Sequence, residues 1–182
     1  MTVFLMAFHL LPSQEGQRQL EGWPETTFTP DFAVAASGSV TIEFDNYQVG
    51  DKKGWGIGIF HLTEADKDYF TPYLPDYLGG LALNLAKAAV KIKDPGQEKS
   101  SAKFLDEPME LLFTRINADT LKVSLRYQGE TIAETKGPKV LILAIIGSAL
   151  QNFMVQLLTI NPRLAEYEEV AQLRGLIAQI VS

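Results

Sequence analysis

Cysteine is absent from this chain of 182 residues, which removes disulfide frameworks, thiolate nucleophiles and thiolate metal sites together. Histidine is nearly absent: His9 and His61 are the two that occur. Each falls in a segment read as a strand, without a second histidine at ligand spacing, so no metal site is expected. Basic residues number 16 against 22 acidic ones, for a net charge of -6 and a pI near 4.9. No run of Lys or Arg offsets that balance, and nucleic acid is not an expected partner.

Catalytic signatures are missing as well. There is no GxSxG elbow, no SxxK pair and no P-loop. Glu64, Asp66 and Asp68 alternate as the first ligands of a calcium loop do, but Tyr69 stands at the glycine position and Pro75 at that of the bidentate glutamate. A solvated acidic turn is the reading. GWGIG, Gly54 to Gly58, contains a GxGxG string, yet a phosphate-binding loop needs its glycines between a strand and a helix start. Here they fall inside a strand, so no cofactor is implied. The apolar start, Met1 to Ala7, lacks the basic residues of a signal peptide; a cytoplasmic protein is expected.

What is present is a globular composition, 46% hydrophobic and 21% charged, at a length that suits one domain over residues 1–182. The most conspicuous run is Val140 to Ile160, VLILAIIGSALQNFMVQLLTI, which has no charged residue and the length of a membrane span. On a helix, Ser148, Gln151, Asn152, Gln156 and Thr159 fall in one polar stripe. A lone span would carry Gln151 and Asn152 at mid-bilayer without partners, so a core helix rather than membrane insertion is expected. Gly137 and Pro138 open it, and Asn161 and Pro162 close it. Leu164, Tyr167, Val170, Leu173, Leu176, Ile177 and Ile180 then mark a second helix. The first is apolar over more than half its circumference, which calls for a second helix or a second copy of the chain to cover it, and a homodimer is one expectation.

Elsewhere the patterning alternates. Thr2 to Leu11 reads as a strand, 11–33 as a long surface loop, and Ser39 to Tyr47 with Gly54 to Leu62 as a hairpin. Thr63 and Asp66 suggest a short helix cap, Tyr77 to Lys93 a helix, and GQEKSSAK a loop. MELLFTRI, LKVSLRY and ETIAETK form a three-stranded meander with turns at 117–120 and at Gln128 and Gly129. The expected fold is therefore α+β: an antiparallel sheet of about five or six strands, packed on one face by helices and ending in two helices.

For function, the clustered aromatics Trp55, Tyr69, Phe70, Tyr73 and Tyr77 are the candidate contact surface. Tyrosine offers large area at low entropic cost with a polar tip. The leading expectation is a soluble, non-catalytic interaction module, an adaptor or inhibitor, that binds a protein partner. One alternative is a small-molecule pocket between the glycine face of 54–58 and the helices. The other is a hydrolase or isomerase using His61 with a nearby carboxylate.

Overall fold

A computed structural model describes residues 4–44, 48–49, 52–53, 60–62, 68–70 and 74–182, with side chains over 4–44 and 76–182. The first strand, β1 (Phe4–Leu10), leads into helix α1 (Gln14–Gly22), the short α2 (Phe32–Ala35) and β2 (Gly38–Phe44). Short strands follow: β3 (Gln48–Val49), β4 (Lys52–Lys53), β5 (Phe60–Leu62), β6 (Asp68–Phe70) and β7 (Leu74–Asp76). Helix α3 (Leu78–Lys93) precedes β8 (Lys99–Lys103), β9 (Met109–Arg115), β10 (Thr120–Tyr127) and β11 (Glu130–Pro138). Helix α4 (Lys139–Ile160), a 3-10 turn (Pro162–Glu166) and α5 (Glu168–Val181) complete the fold.

The architecture is α+β with antiparallel sheets, as the alternating patterns lead one to expect. The strands divide between a three-stranded sheet, β1-β2-β7, and a four-stranded sheet, β11-β10-β9-β8, with β3-β4 and β5-β6 as separate ribbons. The meander stands as β9-β10-β11. Its β10–β11 turn has both Gln128 (φ 49) and Gly129 (φ 87) in the left-handed region, the conformation of a type I′ hairpin turn. Strand β2 pairs with β1 in full register and with β7 at Gly38 to Val40. Most of the expected hairpin partner, 54–62, lies outside the described residues, and Phe60–Leu62 pairs with Asp68–Phe70. The expected helix cap at Thr63 and Asp66 lies outside them too.

Two segments read as loops are regular structure. Within 11–33, Ser13 caps α1 by accepting a hydrogen bond from Gly16 N, 3.1 Å. The helix buries only Gly16, Gln19 and Leu20, too narrow a stripe to show as a period. Gln19, 1% exposed, stabilises the turn that follows: its amide donates to Thr29 O and accepts from Thr29 N, both at 3.0 Å. In GQEKSSAK, Lys99–Lys103 is the edge strand β8, with Ser100 and Ala102 buried. Buried Ser100 donates to Ala88 O of α3 at 2.8 Å, which satisfies its hydroxyl and lets a serine occupy a core position.

One hydrophobic core joins both sheets to the helices. Helix α3 is its axis, with Leu78, Leu81, Leu85 and Ile92 fully buried; each such side chain contributes about 1.5 to 3 kcal/mol. It packs against β8, α2, α4 and α5. Cations close two helix ends, where carbonyl groups lack intrahelical donors. Arg115 donates to Ile92 O and Asp94 O at the end of α3, and Lys93 donates to Gln179 O at the end of α5.

Candidate functional site

Helix α4 begins at Lys139 after Pro138, with an uncharged run from Val140 onward. Its inner face buries Ile142, Leu143, Ile146, Leu150, Phe153 and Leu157. Phe153 meets Phe8 of β1 with ring centroids 5.3 Å apart. Gly147 allows close approach of α5, because a Cβ there would stand 2.8 Å from Val181 Cγ1. The helix is long and apolar enough to cross a membrane by length and composition, and half of its most apolar stretch is buried inside this fold.

Part of the remaining circumference, which the sequence shows to be largely apolar, is thus covered by β1, α3 and α5. The rest faces outward. Val140 is 77% exposed, Leu141 45% and Val155 62%, alongside exposed Ala144, Ser148, Gln151, Asn152 and Thr159. From Leu141 to Thr159 these positions recur at spacings of three and four, so they line one face about 27 Å long. The expected polar stripe holds at Ser148, Gln151, Asn152 and Thr159. Gln156 departs from it: half-buried, it accepts from Leu10 N and donates to Phe8 O, both at 2.8 Å.

Of the aromatic positions expected to form the contact surface, Tyr77 is half-buried at the start of α3. Tyr69 and Phe70 belong to β6, with their side chains outside the described residues. Trp55 and Tyr73 lie outside the described residues altogether, as do the glycine face of 54–58 and the side chain of His61. His9 faces Thr41 Oγ1 at 3.1 Å. Among the described residues no group of three His, Cys, Asp or Glu side chains is placed to hold a metal.

The structure brings together a different set of rings. Trp23, Phe28 and Phe32 surround Tyr167, with centroids 5.5, 4.8 and 5.1 Å from its ring. Burial, seconded by the neighbouring Glu169 and Asp31, pushes the Tyr167 phenol up to about 12. Trp23 and Phe28 meet Tyr167 edge-on and Phe32 meets it tilted, so the cluster fastens α2 and its preceding turn to the C-terminal region. Its members come from GWPETTFTPDF, 22–32, and from a tyrosine far along the chain, a juxtaposition that no local pattern reveals. Just before α3, Asp76 is 3% exposed. Its Oδ1 accepts from Leu105 N at 3.0 Å and Asp106 N at 2.8 Å, and burial raises its pKa above the usual aspartate value despite those bonds.

Against protein-family models, curated proteins and solved structures alike, the chain has no match.

Proposed function

We propose that the chain is a soluble, non-catalytic interaction module, of adaptor or inhibitor kind, that docks a protein partner on the outward face of α4. The observation carrying this reading is the uncharged face itself, in a chain of net charge -6, with Val140, Leu141 and Val155 open to solvent. Association strips water from the surfaces that meet, and charged side chains make that costly. A face of valine, leucine, alanine and neutral amides avoids the cost, and the amides supply hydrogen bonds at the rim.

The test is a photo-crosslinking residue placed at Val155 in the native host, with the same residue at exposed Glu130 as control. One defined protein adduct from position 155, absent from position 130 and removed by Leu141→Arg at unchanged melting temperature, supports the reading. An adduct of twice the chain's mass makes the partner a second copy. No adduct at 155, or identical adducts from both positions, ends it.

A further inference from the structure

The four-stranded sheet has one margin that the core does not close. In the β8–β9 ladder, Arg115 N donates to Glu98 O and Phe104 N to Met109 O, so the even-numbered residues 98–104 spend their backbone groups on β9. The groups of Lys99, Ser101 and Lys103 therefore point away from the sheet, and their side chains are exposed. Asn84 of α3 donates to Lys103 O at 3.0 Å. Beside this margin runs a cleft of about 380 Å³, walled by Asn84, Lys87 and Lys91 of α3 and by Ser100, Ser101 and Lys103 of β8.

The charge of this cleft opposes that of the chain. No acidic side chain lines it, although acidic residues outnumber basic ones overall. Six other cations have structural partners: Arg18 with Glu15, Lys122 with Glu134, Arg126 with Glu110, Arg163 with Glu25, and Arg115 and Lys93 with helix carbonyls. Among the described residues no ion pair involves Lys87, Lys91 or Lys103. Ten of the sixteen basic residues lie within 87–139.

We infer that this cleft is a second binding site, independent of α4, that takes an acidic protein segment as an added strand on β8. An extended chain has the alternating donors and acceptors that the outward groups of Lys99 and Ser101 lack. At about 3.3 Å per residue, five residues cover β8 from end to end. The lysines select the occupant. A second β8 is repelled, which is how edge lysines block pairing of identical copies, while carboxylates on an incoming strand meet Lys87, Lys91 and Lys103. The attraction acts between exposed charges, so it falls as salt is raised.

The experiment titrates isotope-labelled full-length protein with a blocked seven-residue peptide of alternating glutamate and valine. Two comparison peptides are the lysine–valine analogue and the glutamate–valine peptide N-methylated at every residue, which removes the donors of both strand edges. Saturable shifts centred on the Ser101 and Lys103 amides are expected. The N-methylated and lysine–valine peptides should each bind at least about tenfold more weakly, as should the parent peptide to Lys87→Glu/Lys91→Glu protein whose remaining spectrum is unchanged. Equal binding of the N-methylated peptide would mean that charge alone holds it, with no added strand. That result, the absence of saturable shifts, or shifts centred on α4 would each overturn the inference.

Discussion

The two sheets treat their margins in opposite ways. At β1, Leu11 N donates to Ser37 O, so the odd-numbered residues pair with β2 and Phe8 and Leu10 direct their backbone groups outward. Helix α4 lies against this strand, and Gln156 imitates a neighbouring peptide, one amide satisfying Phe8 O and Leu10 N together. At β8 a single amide, Asn84, reaches a single carbonyl, and lysines flank the rest. A covered edge is sealed by shape and hydrogen bonds; an open one is guarded by charge. The first device excludes every strand, whereas the second excludes only strands of like charge.

Removing the seal at β1 is the largest perturbation this comparison suggests. Gln156→Ala leaves a half-buried donor and acceptor without partners and should cost about 2 to 4 kcal/mol in urea denaturation. It should also produce concentration-dependent association by light scattering, because the freed edge carries no lysine. Loss of stability without association would show that α4 alone protects β1.

Asp76 secures the chain where β8 ends. Asp76→Ala strands the amides of Leu105 and Asp106 and should cost about 1 to 3 kcal/mol. Asp76→Asn keeps the Oδ1 acceptor and removes the buried charge. Because the folded-state pKa of Asp76 is raised, its contribution to stability is fully present below the usual aspartate value and is lost as pH rises through the raised one. Stability of the Asn variant relative to the parent should therefore increase with pH across that interval, measured as the difference in unfolding free energy.

Asn84→Ala is the smallest perturbation, below about 1 kcal/mol for a single exposed hydrogen bond. If β8 is already open, affinity for the glutamate–valine peptide should change by less than about threefold. A larger gain would show that Asn84 is itself a partial seal, and would bring the two margins closer in kind.

The elements legible from sequence are those in which burial follows a period. Strands β9 to β11 alternate, and α3, α4 and α5 present apolar residues at helical spacing, because each packs a whole face on the core. Helix α1 and strand β8 escape that reading for opposite reasons. Helix α1 is held by a serine cap and by Gln19's bonds to Thr29 more than by apolar area. Strand β8 carries a serine at a buried position, made tolerable by Ala88 O. The uncharged face of α4 was visible as a stripe, save that Gln156 serves β1 instead. The lysine cleft was not visible, since Lys87 and Lys91 become neighbours of Lys103 only once KSSAK is recognised as a strand beside α3.

The seal at β1 also has a timetable. Gln156 closes on Leu10 across 146 positions of chain, so a ribosome adding about 5 to 20 residues per second needs roughly 7 to 30 s to deliver it. Throughout that interval β1 and β2 can pair, but the outward groups of Phe8 and Leu10 stay unmatched and Phe153 is not yet made to cover Phe8. The growing polypeptide is thus most prone to aggregation in its first-made sheet, and a chaperone that holds extended apolar segments would be needed early in synthesis and released once α4 emerges.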